Sequence, residues 1–327
     1  MIPHPKTGTE LSTPKDASHA SQTAPRTDGG KGRFATYREL AKSGIVTLVL
    51  ISVLAGYWIG QSIEAQFDFL HLLRTLGGVL GLAAGSSALN QVQERNVDAQ
   101  MPRTASRPLP SGRLSLNEAY LFIILSLTLG LALLASIDPQ VLLLGAGAVV
   151  SYNGLYTLWW KRKWAYAAVP GAIPGALPIL MGYAAAHGSP WTPAGLYLFF
   201  VLFYWQMPHF WALALRFEKD YAFGNFPTLP VSRGAEVTRF QIGLWGLCYV
   251  GLAALAPLFL RTGSTYVTLS LTMSLKVLWE LRAYLKQPDS RHWLRFFLWI
   301  NFSLILYLAA AVLDLWGHYL LVPLLTR

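Results

Sequence analysis

Apolar blocks of roughly 16–25 residues recur along this chain, each long enough to cross a hydrocarbon core about 30 Å thick. They lie near residues 44–61, 69–92, 116–137, 139–159, 165–187, 193–215, 238–260, 264–283 and 295–322. A segment with no polar face has no stable place on a soluble globule. In lipid it closes all its backbone hydrogen bonds by coiling into a helix. Composition points the same way: 54% of the 327 residues are hydrophobic and only 13% are charged, against about 25% charged in an ordinary soluble domain. A soluble enzyme and a nucleic-acid-binding domain are thereby excluded, despite the net charge of +10. The single cysteine, Cys248, excludes an intrachain disulfide and a cysteine-rich metal site. The expected fold is an all-α polytopic membrane protein with nine transmembrane helices around one central cavity.

Two further features organise the chain. Residues 1–30 are Ser, Thr, Pro, Lys and Gly with almost no large apolar side chains, so residues 1–36 are expected to form a disordered cytoplasmic tail and 37–327 the membrane domain. The tail has no apolar h-region, and Glu10, Asp16 and Asp28 argue against a mitochondrial transit peptide. Basic residues then alternate between loops. Arg95, Arg103, Arg107 and Arg113 follow the second span; Lys161, Arg162 and Lys163 the fourth; Arg216, Lys219, Arg233 and Arg239 the sixth; Lys286 and Arg291 the eighth. The other loops offer Arg261 and Arg74. The positive-inside rule therefore places the N-terminus and the basic loops in the cytoplasm, and nine spans leave the C-terminus outside. Pro170, Pro174 and Pro178 predict kinks in the fifth span.

The basic loops also carry acids. Asn90, Glu94 and Asp98 are spaced by four, which on a helix lines them up as one stripe. Oxygen ligands in such a stripe suit a hard divalent cation such as Mg²⁺, which completes its shell with waters and substrate phosphates. Arg103 and Arg107 follow closely enough to contact those phosphates. The plainer reading is a solvated helix end with interfacial acids. A second cluster runs Trp205-Gln206-Met207-Pro208-His209 and on to Glu218 and Asp220. A histidine inside an apolar span points to function by default, with a structural histidine bonded to a neighbouring helix as the alternative. Glu218 and Asp220 supply a second carboxylate site on the same membrane face. Lys161 and Arg162 would hold diphosphate, or else simply anchor a helix at the interface. Finally, Arg107-Pro-Leu-Pro-Ser-Gly-Arg113 is echoed by Pro227-Thr-Leu-Pro-Val-Ser-Arg233, as an internal duplication or a coincidence of loop residues would leave it.

At these residues the chain resembles the UbiA superfamily of intramembrane prenyltransferases, and within it the haem-farnesylating branch. The superfamily's Asn-x-x-x-Asp-x-x-x-Asp motif stands here as Asn90, Glu94 and Asp98. The branch's Met-x-Arg-Thr-x-x-Arg-Pro-Leu string is complete at Met101, Arg103, Thr104, Arg107, Pro108 and Leu109. Its Trp-Gln-Met-Pro-His-Phe string occupies 205–210, followed by Asp220-Tyr221 and Leu229-Pro230. Three positions depart from the pattern: Glu94 replaces Asp, Asn96 replaces a further Asp, and Ser43 follows Lys42 where Pro is usual.

The resemblance implies a bacterial inner-membrane enzyme that moves farnesyl from farnesyl diphosphate to the 2-vinyl group of haem B, with water addition, giving haem O. It implies Mg²⁺ at Asn90, Glu94, Asp98 and Asp220, diphosphate at Arg103, Arg107, Lys161 and Arg162, and haem at Trp205, Gln206 and His209. His209 would act by iron ligation or by a propionate hydrogen bond. Tyr152, Tyr156 or Trp205 would face the allylic cation. Haem A synthase or the oxidase assembly machinery is the implied protein partner, and no nucleic acid is implied. The other readings are a transferase of the same superfamily acting on an aromatic quinone precursor, and a transporter. A transporter places its charges at mid-span rather than in loops on one face.

Overall fold

The computed structural model describes the backbone of residues 32–325 and the side chains of residues 32–317. Every regular element among the described residues is a helix. A short α1 (Arg33–Leu40) precedes α2 (Ser43–Gly60), α3 (Phe69–Asp98), α4 (Leu116–Ala135), α5 (Pro139–Lys163) and α6 (Ala168–His187). Then come α7 (Pro193–Arg216), a short α8 (Glu218–Phe223), α9 (Leu229–Ala254), α10 (Ser264–Lys286) and α11 (Ser290–Leu325). Residues 1–31 of the assigned tail lie outside the described residues. Arg33 to Thr36, also assigned to it, are helical instead, because Thr36 and Leu40 are buried and Tyr37 packs on Phe122 of α4.

Nine long helices among the described residues fall on the nine expected spans. Seven of them are both long and apolar enough to cross a membrane. The other two, α9 and α10, carry Arg233, Glu236 and Arg239, and Lys276, Glu280 and Arg282, within their lengths. Elsewhere the lipid is the solvent: Leu121, Ile124, Leu125 and Leu129 of α4 all lie exposed, a patch that would drive aggregation in water.

Local chemistry fixes the helix ends. Ser115 and Glu118 close a reciprocal capping box at the start of α4. Asp138 and Thr192 cap α5 and α7, each followed directly by proline. Gly188 ends α6 in the left-handed region at φ 87°. Gly234, at φ 82°, breaks α9 after its first turn, and with Arg233 and Glu236 it precedes the apolar run that starts near 238. Helix α3 outlasts its apolar run, expected to end near 92, because Asn90, Gln91, Glu94 and Asp98 are buried.

Small residues set the closest helix pairs. A Cβ on Gly56 would sit 2.2 Å from the Ile179 carbonyl oxygen, and one on Gly182 would sit 2.1 Å from that of Val53. Helices α2 and α6 therefore touch backbone to backbone. The same holds for α3 and α4 at Gly81 and Gly130. One apolar core, with Leu82, Leu144 and Met181, joins α2 to α6, and another, with Trp211, Tyr249 and Ile300, joins α6 to α11. Between the two cores, walled by α2, α3, α5, α6 and α7, lies a cavity of about 460 Å³.

Candidate active site

The cavity has a polar head and an apolar body. Val46, Val79, Leu82, Met181 and Leu213 line the body, and Lys42, Asn90, Glu94, Asp98, Arg103, Arg107 and Lys161 line the head. The spacing of four on α3 places Asn90, Glu94 and Asp98 on one face, and the three are only 2%, 4% and 1% exposed. Each meets its own cation. Lys42 Nζ donates to Asn90 Oδ1 at 2.7 Å, Lys161 Nζ to Glu94 Oε1 at 2.7 Å, and Arg107 to Asp98 Oδ2 at 2.6 Å. Charges so far from water need such partners.

Sequence alone did not single out Lys42 for this role. It sits between α1 and α2 in the left-handed conformation, φ 52°, and its side chain reaches the cavity. Burial first, and then the Arg107 charge, push its ammonium down to about 8. The sequence offered a basic residue at the edge of the first span, which an interfacial anchor gives equally, and the family's Lys-Pro position, of which only the lysine is kept.

Lys161 reaches Glu94 through an unusual helix. From Val150 to Trp160, α5 winds as a π-helix, a wide turn often found at functional sites. Asn153 holds that turn to α3. Its amide donates to the Ser86 carbonyl at 3.0 Å and its carbonyl accepts from Ser86 Oγ at 2.6 Å. Gln93 donates to the Asn153 carbonyl at 3.1 Å, and Asn90 donates to Thr157 Oγ1 at 3.2 Å. The rings of Tyr152 and Tyr156 stack at 6.0 Å and line the cavity from the same segment.

The structure does not bring all the expected site residues to the cavity. Arg103 pairs with Asp220 at 3.6 Å and lies over the Phe217 ring at 5.0 Å, so Asp220 stands behind Arg103 rather than on the wall. Arg162 turns away from the wall to the Gln93 carbonyl. Gln206 lines the cavity, but its amide donates to the Ala172 and Leu202 carbonyls at 3.1 Å, tying α6 to α7. Trp205 faces α11, where its indole donates to the Ile300 carbonyl at 2.9 Å. His209 does line the cavity. Its ring is held between Trp205 and Phe297 at 4.9 Å from each, and its Nδ1 is buried with no partner.

Among the described residues no three Asp, Glu, His or Cys side chains form a ready-made metal cage. Two carboxylates and one amide are present instead. Asp98 Oδ1 is buried with no partner, the kind of oxygen that a hard cation takes. The residues thus fit a cation that brings most of its shell with it, and not one held by protein alone.

The UbiA prenyltransferase family matches residues 49–324. A protoheme IX farnesyltransferase of Bdellovibrio bacteriovorus is 46% identical over 281 residues, covering 86% of this chain and 96% of that protein. Another, from Synechocystis, is 36% identical over 287 residues, covering 85% and 88%. The fold is shared with digeranylgeranylglyceryl phosphate synthase at TM-score 0.70 and 21% identity, over 86% of this chain and 98% of that one. It is also shared with an Archaeoglobus fulgidus UbiA homologue bound to GPP and Mg²⁺, at TM-score 0.59 and 18% identity, over 85% and 99%. The match spans both apolar cores and all of the cavity wall but Lys42, Ile45 and Val46: this chain belongs to the UbiA prenyltransferase family, as a multi-pass membrane prenyltransferase.

Proposed function

We propose that this chain transfers farnesyl from farnesyl diphosphate to the 2-vinyl group of haem B, with addition of water, giving haem O and diphosphate. The carrying observation is the buried stripe Asn90, Glu94, Asp98, matched one for one by Lys42, Lys161 and Arg107 at the head of an apolar cavity. Such a site suits a substrate with an anionic head and a hydrocarbon tail. The names of the relatives supply the farnesyl donor and the haem acceptor.

The bond that breaks first is the one between farnesyl C1 and the diphosphate oxygen, whose electron pair leaves with diphosphate. Lys42, Lys161, Arg107 and Arg103 take up the charge that develops there, in a pocket where it is poorly screened. Asp220 orients Arg103, and Arg162, outside the wall, ties the end of α5 to the Gln93 carbonyl of α3. Mg²⁺, when bound through Asn90, Glu94 and Asp98, supplies Lewis-acid stabilisation to the leaving diphosphate, in keeping with the Mg²⁺ of the Archaeoglobus homologue.

The stacked faces of Tyr152 and Tyr156 stabilise the allylic cation. The apolar wall keeps water from it before the acceptor arrives. The vinyl π pair then forms the new C–C bond, and the positive charge moves to the carbon attached to the porphyrin. Water adds there and loses a proton. His209, steadied by Trp205 and Phe297, positions the haem. The enzyme lies in a bacterial inner membrane with its N-terminus and cavity mouth in the cytoplasm.

Expression in a host lacking the activity, followed by haem extraction and mass spectrometry, tests the reading. Haem heavier by farnesyl plus water is the expected product. Unmodified haem together with a prenylated aromatic acid would overturn it.

A further inference from the structure

We propose that the groove between α10 and α11, at the same end of the bundle as the cavity mouth, binds the phosphate of one anionic phospholipid. Its centre is Glu280, whose side chain is fully buried. One carboxylate oxygen, Oε1, accepts from Lys276 Nζ at 2.5 Å and from Arg295 at 2.7 Å. Two cations thus share one anion, and the cluster keeps a net charge of one positive unit. Neither cation is used up, since an ammonium carries three donors and a guanidinium five. Both remain partly open, with side chains 35% and 42% exposed.

The depth of the cluster identifies the ligand. Glu280 lies six residues before Lys286 and Arg295 five after Ser290, so these two sit about 8–9 Å inside their helix ends, and Lys276 reaches Glu280 from one turn deeper. That is where headgroup gives way to acyl chain, and free cations there are costly. Leu275, Trp279, Leu294, Leu298 and Phe302 of the same two helices are all exposed, which gives acyl chains a surface beside the charge. Trp299 lies under Lys276 Nζ at 4.9 Å and holds it toward the groove.

A second observation is independent of the charge. The other oxygen, Glu280 Oε2, is buried with no partner, so the carboxylate still lacks a donor, and a headgroup hydroxyl brings one. None of these residues lines the prenyl cavity. The proposal therefore does not depend on which acceptor the enzyme uses. Basic pockets between membrane helices are known to select anionic headgroups on electrostatic grounds. The deep placement distinguishes a lipid from inorganic phosphate, which has no means of reaching that level.

Native mass spectrometry of the full chain in detergent, titrated with phosphatidylglycerol and phosphatidylcholine, tests this. Phosphatidylglycerol should be preferred at least about fivefold, Arg295→Gln should remove most of that preference, and Arg295→Lys should keep it. Millimolar inorganic phosphate should not displace the lipid. Equal retention of the two lipids by the wild-type chain would overturn the proposal, even if no variant folds. So would an undiminished preference in Arg295→Gln, displacement by inorganic phosphate, or a copurifying protein filling the groove in place of lipid.

Discussion

Of the two carboxylate oxygens of Asp98, one accepts from Arg107 and the other is buried with no partner. Only the charged form serves both Arg107 and an incoming cation. Asp98→Asn is therefore expected to lower turnover about 10²–10³-fold, the loss typical when one electrostatic contact to a developing charge is removed. Turnover must be normalised to folded protein, because Arg107 also loses its ion pair. Near-normal product at ordinary Mg²⁺ would sink the assignment. At Glu94 the comparison is between length and charge. Glu94→Asp keeps the charge opposite Lys161 and should stay active, whereas Glu94→Gln leaves that lysine unpaired and should not. Equal behaviour of the two variants would mean that charge at 94 is irrelevant. His209 gives a cleaner separation of roles, because it contacts none of the three acids. His209→Ala should cut haem product yet spare binding of farnesyl diphosphate, measured by calorimetry. A lower yield of folded protein with unchanged turnover per molecule would show a histidine that only packs.

At the scale of helices, close backbone contact and the π-turn do most to shape the cavity. Gly182→Ala would drive a methyl against the Val53 carbonyl and should cost about 1–3 kcal/mol, read as a lower melting temperature in detergent. Gly147→Ala, with nothing within 4 Å of the added carbon, is the control and should be neutral. The sequence shows the spans because apolar length is a one-dimensional property. It also shows the stripe on α3, because a spacing of four survives in any straight helix. What it does not show is rotation. Trp205, Gln206 and His209 are close in sequence, yet Trp205 faces α11 while His209 faces the cavity. Lys161 and Arg162 are adjacent, and only Lys161 reaches an acid of the stripe. The winding between Val150 and Trp160 decides that, and it rests on contacts of Asn153 with Ser86 and Gln93 far away in sequence. Removing the amide in Asn153→Ala leaves buried partners unpaired, at about 1–3 kcal/mol. Lower thermal stability together with a raised KM for farnesyl diphosphate is expected. A stability loss with KM unchanged would show that the π-turn does not place Lys161.

For the whole molecule, the distribution of charge between the two ends of the bundle is what the proposed orientation in the membrane rests on. Successive long helices alternate in direction, so the ends of α3, α5, α7 and α10 share one side. Contacts agree: Arg103, after α3, meets Asp220 of α8, and Arg216, ending α7, lies over Trp293 near the start of α11 at 5.7 Å. Nearly all the loop arginines and lysines therefore gather at one end of the bundle, the end where Lys42, Arg103, Arg107 and Lys161 line the cavity. In the proposed orientation two demands coincide there, because bases that retain a loop in the cytoplasm would also serve a site for an anionic substrate. In the proposed reaction farnesyl diphosphate, too polar in its head to cross lipid unaided, would be met on the side where its charge is matched. The prediction is a topology. Reporter domains inserted after Lys163 and after Lys286 should score as cytoplasmic, and one inserted at Thr262 as external, each in a variant that still makes product. Opposite locations for the first two would break the helix alternation. All three reversed would leave the fold intact but place the cavity mouth outside, and the positive-inside argument would then fail for this chain.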